Sequence, residues 1–416
     1  MATDSHSTSP PILPRPQFET GFAGWMRLNL FSTWYNSALS VTAIVVLALT
    51  VWFGLGWVFL DADWSVISTL GGRIMIGQYN IEAACPGQNC FWRPQASLLL
   101  ITVLLGMGWQ VAGGGMAKQF ALLVGGVAAA FAFLPYGLDT MGMDVRLLLV
   151  ANLPALAVGW SIARYTPLGT ASRIAMLFVS AFLLTMVLLR GIPGVPFLEP
   201  VSVIFWGGMM LNLLLAVAGI SLSFPIGIGL ALGRRSHLQV LKLLCIVFIE
   251  TFRGVPLITL LFMSQVLVPL AFPENFPVNS LYRAAIVITL FSSAYMAENI
   301  RGGLQSLHPG QAEAARALGL PGWQTTLFIS LPQAIRNVIP PIVGQFISLF
   351  KDTSLVYIIG MLDVVEISRA FIQGNPEFLA NAKELFIFLA LVFWIFTYSM
   401  STVSRRVEQH LGVGER

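Results

Sequence analysis

Charged residues are scarce in this chain of 416 residues. Asp, Glu, Lys and Arg make up 10% of the sequence and hydrophobic residues make up 56%, whereas a soluble domain carries about 25% charged residues. The 23 basic and 19 acidic side chains are too few to cover a soluble protein of this length. Apolar runs of about 20 residues, the length at which a helix crosses a bilayer, recur from Ala38 onwards. The sequence therefore predicts an all-α polytopic membrane protein.

Residues that commonly build catalytic, metal or phosphate sites are also rare. The chain has three cysteines and four histidines, and the histidines are scattered along it, so no metal site made of His and Cys is predicted. No Gly-Lys dipeptide occurs, which excludes the glycine-rich loop with a Gly-Lys pair that binds nucleotide phosphates. A net charge of +4 is too small to indicate a nucleic-acid partner. We therefore expect no catalytic residue, no metal and no cofactor in this chain.

About ten membrane spans are predicted, and membrane lipid is the expected partner of their outward faces. Loops on one side of these spans carry roughly twice as many Lys and Arg residues as loops on the other side, and the richer side is assigned to the cytoplasm. Both termini then lie in the cytoplasm. The predicted spans are 38–60, 97–114, 119–136, 147–163, 174–190, 208–232, 254–272, 284–300, 338–360 and 384–403.

The spans fall into two groups, separated by the proline-containing stretch 190–200. An N-terminal extension holds about five spans, whereas polar residues become more systematic in the second group. No repeat relates the two halves. The predicted segments are a cytoplasmic tail over 1–37, the extension over 38–205, a second transmembrane domain over 206–405 and a cytoplasmic tail over 406–416.

The predicted outer loop between the first two spans contains Cys85 and Cys90, separated by Pro-Gly-Gln-Asn. Pro-Gly favours a tight turn, which would bring the two sulfur atoms together. In an oxidising compartment the pair would form a disulfide. The alternative is two free thiols in a loop.

The longest predicted cytoplasmic connection, residues 301–337, has the composition of two short helices. The first is predicted over 311–318, and Gly319 is typical of the position just after a helix C-terminus. The second is predicted near 323–329, ending before Pro332. The alternative is an ordinary amphipathic loop on the lipid surface. Four apolar side chains give the connection a surface that needs a partner: Leu318, Leu320, Trp323 and Leu327.

The residue order of this connection resembles a known motif. It reads Glu-Ala-Ala, three residues, Gly, nine residues, Ile, one residue and Leu-Pro, which matches the coupling loop of the inner-membrane permease subunits of binding-protein-dependent ABC importers. Three further stretches, 248–258, 294–303 and 350–355, are similar to the polar amino-acid permeases of that family. The long extension is similar to the larger permease subunits of general L-amino-acid uptake systems. The motif positions are Glu313, Ala314, Ala315, Gly319, Ile329, Leu331 and Pro332.

The resemblance implies a transmembrane permease subunit of an ATP-driven amino-acid uptake system in the bacterial inner membrane. Residues 206–405 would form a five-helix type I ABC importer core, supply half of the translocation path and couple to the ATPase through residues 311–332. The implied partners are a second, homologous permease subunit, two ATPase subunits that bind ATP and Mg, and a periplasmic amino-acid-binding protein. ATP hydrolysis would lie on the ATPase subunits, so this chain would not be an enzyme.

Lys351 and Asp352 fall inside an apolar run, where charged side chains are costly and commonly face a cavity or a partner. Either the two side chains neutralise each other locally, or they line or gate the substrate path. An amino-acid substrate carries one charge of each sign, so a path that offers both signs would suit it.

Two further pairs of charges are spaced three residues apart and therefore share a helix face. Glu250 and Arg253 precede Gly254 and a proline, which favour a helix break. This pair either stabilises the helix break near the inner surface of the membrane or touches the substrate path. Glu298 and Arg301 lie at the start of the coupling connection and are expected to orient it.

Two other functions are alternatives. A self-sufficient secondary transporter or channel for small polar solutes would carry acidic residues in several spans, whereas only Asp352 lies deep within one. A membrane-embedded enzyme would need clustered His, Cys or carboxylate side chains, and none cluster in the sequence.

Overall fold

Helices make up almost all of the described structure. Within the described residues, β pairing is limited to two isolated bridges. The chain divides into a small unit, Met1–Asp63, and a large unit, Trp64–Arg416. The computed structural model describes residues 21–79, 92–112, 143–167, 171–271 and 278–410, with a few single positions between 84 and 129.

The small unit contains one long apolar helix. Helix α1 spans Phe22–Asn29, and helix α2 spans Trp34–Gly56 before it continues as a π-helix over Trp57–Asp61. Thr33 caps α2, because its hydroxyl accepts a hydrogen bond from the backbone N–H of Asn36 at 3.4 Å. No residue of α2 is buried within the structure, so its apolar side chains need lipid or another apolar partner.

Five helices of the large unit are described before residue 205. Glycines bring two of them, α4 and α6, into backbone contact. A Cβ atom at Gly159 would lie 1.9 Å from the carbonyl oxygen of Val103, and one at Gly106 would lie 2.3 Å from that of Leu156. Any side chain at these two positions would push the helices apart. The five helices are α3 (Ser65–Ile76), α4 (Trp92–Ala112), α5 (Met143–Val150), α6 (Asn152–Tyr165) and α7 (Ala171–Arg190).

The remaining helices run from residue 208 to residue 410. Helices α9 and α10 meet at an angle of 107°. The break follows Gly254 and includes Pro256, as the sequence predicts, because proline lacks a backbone N–H. The helices are α8 (Gly208–Arg234), α9 (Gln239–Gly254), α10 (Leu257–Ala271), α11 (Ser280–Gln305), α12 (Pro309–Ala317), α13 (Leu331–Asn337), α14 (Ile339–Asp352), α15 (Val364–Gly374) and α16 (Ala382–His410).

The described residues contain six helices long and apolar enough to cross a membrane, or seven if the bent pair is one span. The predicted all-α polytopic fold is confirmed, and the predicted number of ten spans is approximate. The predicted span 119–136 falls mostly outside the described residues. The predicted span 147–163 is divided at Ala151 into α5 and α6, each shorter than a membrane crossing. The predicted span 174–190 lies within α7 (Ala171–Arg190), of which Met176–Arg190 is a shorter apolar stretch.

The helices before and after residue 205 share hydrophobic cores. One core combines Leu211 of α8 and Ile288 of α11 with Leu189 of α7. Another combines Leu70 of α3 with Val364 of α15. Helices of the large unit therefore pack against each other across the predicted boundary at residue 205.

Candidate functional site

The first half of the loop between α11 and α14, residues 306–338, folds as the sequence predicts. Helix α12 begins at Pro309, whose missing N–H is not needed in a first turn. His308 precedes it, and its Nδ1 accepts a hydrogen bond from the backbone N–H of Gly310 at 3.1 Å. Gly319 has a φ of +81°, the left-handed conformation that commonly ends helices. The short helix is therefore closed at both ends by local residues.

The second half of this loop differs from the prediction. Gly322–Gln324 forms a single turn, and Thr325–Ser330 forms a π-helix that leads directly into α13. The expected helix end before Pro332 is therefore wrong. Pro332 is tolerated because it lies in the first turn of α13, directly after the wider π-helical turn, where its missing N–H breaks no α-helical hydrogen bond.

Exposure divides the motif residues into three sets. Glu313, Ala314, Gly319 and Pro332 are exposed, Ile329 is half-buried, and Ala315 and Leu331 are buried. Beside the exposed set lie large apolar side chains that are themselves exposed: Leu318 by 83%, Trp323 by 63%, Leu327 by 45% and Phe328 by 61%. We call these four residues the apolar loop surface. An exposed apolar group of this kind is typical of a protein-binding surface.

The 306–338 loop is attached tightly to the end of α11. A Cβ atom at Gly303 of α11 would lie 2.5 Å from the carbonyl oxygen of Ala334 in α13, and Ala334 is completely buried. The Asn337 side-chain amide also donates a hydrogen bond to the Ser306 hydroxyl at 3.1 Å. Because the two backbones touch, a displacement of α13 must displace the end of α11.

Five charged side chains meet near this end of α11, and we call them the Glu298 cluster. Glu298 lies 2.7 Å from Arg301 on its own helix and 2.7 Å from Arg234 of α8, and Arg253 of α9 approaches it to 3.7 Å. Arg234 also pairs with Glu250 of α9 at 2.9 Å. The Glu298 side chain is 14% exposed. One largely buried carboxylate thus joins three helices.

The structure brings Glu298 and Arg301, which the sequence placed at the start of this loop, together with Glu250 and Arg253, which it placed at the helix break. Glu298 and Arg301 contact each other, whereas Glu250 and Arg253 take partners on other helices. The Arg253 guanidinium also lies 5.5 Å from the ring centre of Tyr295, within cation–π range. Sequence analysis missed the central role of Arg234, whose only signal was its position at the end of an apolar run.

Helix α14 has one face that the chain leaves uncovered. Pro341, Gly344, Ser348 and Lys351 are exposed, and their spacing of three or four residues places them on one face of the helix. None of the four is a large apolar side chain. Such a face at membrane depth favours contact with water or with a partner helix over contact with lipid.

Lys351 lies on this uncovered face, and Asp352 follows it as the last residue of α14. Asp352 is half-buried. The ion pairs found in the described part of the chain include neither residue. The two alternatives, that these charges neutralise each other locally or that they line or gate the substrate path, both stay predictions.

A buried polar cluster lies at the end of α8 remote from Arg234, and sequence analysis missed it. The Asn212 amide donates a hydrogen bond to the Thr353 hydroxyl at 3.2 Å, and its oxygen accepts one from the backbone N–H of Val364 at 3.1 Å. Asp363 caps α15 by accepting the backbone N–H of Glu366 at 2.9 Å. Burial raises the pKa of Asp363 to about 6, although the hydrogen bonds that it accepts act in the opposite direction.

The described residues contain no group of three or more His, Cys, Asp or Glu side chains arranged to hold a metal ion. Cys90 is disulfide-bonded, and Cys245 is a free, buried thiol. Cys85, the predicted partner of Cys90, lies outside the described residues.

Known proteins resemble this chain along nearly its whole length. Inner membrane amino-acid ABC transporter permease protein YhdY of Escherichia coli is 37% identical over 394 residues, which cover 94% of this chain and 93% of that protein. The glutamate/glutamine/aspartate/asparagine transport system permease protein BztC of Rhodobacter capsulatus is 32% identical and covers 96% of this chain and 95% of that protein. The extension is therefore shared with relatives of similar length.

Shorter relatives match the second half alone. The probable glutamine ABC transporter permease protein GlnP of Bacillus subtilis is 38% identical over 204 residues, which cover 49% of this chain and 91% of that protein. A solved amino acid ABC transporter with histidines is 26% identical, covers 48% of this chain and 90% of that chain, and has a TM-score of 0.43. The family described as binding-protein-dependent transport system inner membrane component matches residues 223–413. The chain therefore belongs to this family of multi-pass inner-membrane permease subunits of ABC importers.

Proposed function

We propose that this chain takes up amino acids as the permease subunit of an ATP-driven importer. Relatives that carry amino-acid transport in their names match it from end to end, which supports this class of substrate. Its own role is to supply half of the translocation path and to receive movement from a separate ATPase.

The apolar loop surface, fixed to α11, carries this proposal. An ATPase subunit that binds Leu318, Trp323 and Phe328 would displace α12 and α13 when nucleotide changes its shape. The backbone contact between Gly303 and Ala334 would pass that displacement to α11, and the Glu298 cluster would pass it to α8 and α9. A rigid-body switch of packed helices of this kind is a common way to open and close a path.

The same geometry suggests where the other subunits bind. The uncovered face of α14 would line the path together with a second, homologous permease subunit. Two ATPase subunits, which bind ATP and Mg, would lie in the cytoplasm against the 306–338 loop. A periplasmic binding protein would deliver the amino acid at the opposite end of α11. Both termini of this chain would then be cytoplasmic.

The test is uptake of radiolabelled L-glutamine, L-glutamate and L-arginine by cells that lack the chain and carry a plasmid copy. Trp323→Glu places a charge on the apolar loop surface and should leave membrane insertion intact while abolishing ATPase co-purification and uptake. Leu379→Glu is the control, because Leu379 is also a large exposed apolar side chain but lies outside the loop.

Two results would contradict the proposal. The first is normal uptake and normal ATPase co-purification with Trp323→Glu at equal expression. The second is concentrative uptake by liposomes that contain the purified wild-type chain alone without ATP, which is the behaviour of a self-sufficient transporter.

A further inference from the structure

A cavity of about 460 Å³ lies at the end of α11 opposite the 306–338 loop. Its walls are residues just before α8, the first residues of α11 and the turn that precedes α15. Under the proposed orientation, this end of the molecule faces the periplasm. Small-molecule sites commonly have volumes of about 300–1,000 Å³, and this cavity falls in that range. The described lining residues lie within 202–206, 278–283 and 360–362.

The described lining of the cavity carries positive charge only. Arg283 is its one charged side chain, and no carboxylate is among the lining residues that the structure describes. The Arg283 guanidinium donates to the carbonyl oxygen of Gln265 at 3.0 Å and to the Ser280 hydroxyl at 3.1 Å, while its Nε–H is buried without an acceptor. A partly buried cation held by neutral acceptors favours an incoming anion, because burial strengthens the attraction between opposite charges.

One further feature of the lining favours an anion. The N-terminus of α11, a helix of 26 residues, also reaches the cavity at Ser280, and the N-terminal end of a helix carries a partial positive charge. An arginine and a helix N-terminus thus lie on the wall of one space.

We propose that this cavity binds the carboxylate of a free amino acid on the periplasmic side, before the amino acid moves along the uncovered face of α14. The choice of an amino acid rests on the proposed function, whereas the choice of a carboxylate rests on the lining. Arginine suits this ligand, since the guanidinium has five N–H groups in a planar fork that fits a carboxylate. The two hydrogen bonds to Gln265 and Ser280 keep that fork in place.

The experiment measures equilibrium binding of radiolabelled L-glutamine to the full chain in lipid nanodiscs. Arg283→Met removes the charge and keeps most of the apolar stem, and we expect it to weaken binding at least tenfold. Arg283→Lys should retain part of the binding and reports that the site is folded. Arg190→Met is the matched control, because Arg190 contacts the neighbouring Tyr282 hydroxyl at 3.0 Å but does not line the cavity; binding should change less than twofold.

A competition on the wild-type chain needs no variant. L-glutaminamide, which lacks the carboxylate, should compete at least tenfold more weakly than unlabelled L-glutamine. Equal competition by the amide, equal binding to Arg283→Met, or no saturable binding to the wild-type chain would each overturn the proposal. If Arg283→Met instead weakens only the association of the periplasmic binding protein, the cavity takes a carboxylate from that protein and the proposal also fails. The nanodisc experiment requires neither ATP nor other subunits, whereas the uptake experiment requires both. A failure of the cavity proposal is therefore distinguishable from a failure of the proposed function.

Discussion

Gly319 determines the shape of the 306–338 loop through its backbone alone. Its φ is +81°, and a Cβ atom added there would lie in open space, so a substitution creates strain without a clash. A β-branched residue in this conformation costs about 1–3 kcal/mol. Glycine is needed at this position for the conformation of the turn after α12.

We predict that Gly319→Val leaves the chain in the membrane but lowers both ATPase co-purification and uptake at least fivefold, because the turn after α12 must change. Gly322→Val is the control: Gly322 is exposed in the same loop, also has open space around it and lacks a positive φ. Equal uptake by both variants at equal expression would contradict the assigned role of the turn.

Glu298 is the single carboxylate that contacts three arginines of the Glu298 cluster. We predict that Glu298→Gln lowers the melting temperature in detergent and reduces uptake about tenfold, since each charged hydrogen bond lost costs about 1.5–3 kcal/mol. Glu366→Gln is the control, because the Glu366 side chain, which is 18% exposed, pairs with the 51% exposed Arg369, and solvent screens a pair with one exposed partner more strongly than the Glu298 cluster. Equal melting temperatures for the two variants would refute the stabilising role of the cluster.

Asp363 predicts a pH dependence of stability. The folded chain holds its proton up to about pH 6, whereas an unfolded Asp releases it near its ordinary pKa of 3.8. The folded state therefore binds more protons between these values, and the free energy of unfolding falls as pH rises through this window. Each unit of pKa difference corresponds to about 1.4 kcal/mol.

The measurement is the melting temperature of the purified chain between pH 4 and pH 8. Asp363→Asn keeps a capping side chain and removes the titrating group. The melting temperature of the variant should therefore increase relative to that of the wild type as pH rises to 7. Glu377→Gln, an exposed carboxylate nearby in sequence, should follow the wild type. A pH-independent difference between Asp363→Asn and the wild type would show that Asp363 does not titrate in this range.

At the scale of the element, α14 combines a buried face with the uncovered face that ends at Lys351. We predict that Lys351→Met and Asp352→Asn lower uptake while assembly and basal ATPase activity persist, because both remove a charge from the proposed substrate path without a large change of volume. Lys383→Met removes an exposed lysine at the start of α16 and should have no effect. Unchanged uptake of acidic, neutral and basic amino acids in both path variants would assign Lys351 and Asp352 a structural role.

Elements that depend on local residues were predictable from the sequence. The break between α9 and α10 follows from Gly254 and Pro256, and the end of α12 follows from Gly319, since both signals act within a few residues. The sequence missed contacts between distant residues: Arg234 and Glu298 are 64 positions apart, and Asn212 and Thr353 are 141 positions apart. Local patterns carry no information about which helices become neighbours.

At the scale of the whole molecule, the proposed orientation places the 191–200 segment and the 306–338 loop on opposite sides of the membrane. We predict opposite labelling of two single cysteines in a background without the three native ones. Cysteine at exposed Glu199 should react with an impermeant thiol reagent in intact spheroplasts. Cysteine at exposed Gly322 should react only after lysis. The reverse pattern would invert the topology.

Helix α3 is synthesised long before two of its packing partners, α15 and α16. Its buried residues Leu70 and Ile74 pack with Val364 and Leu385, which follow about 290 residues later; at 5–20 residues per second, the ribosome needs about 15–60 s to reach them. During that interval, the part of the apolar face of α3 that packs against α15 and α16 lacks its final neighbours. Membrane insertion factors or lipid must shield this face while the rest of the chain is translated. Biogenesis of this chain should therefore depend more strongly on the insertion machinery than biogenesis of the half-length relatives.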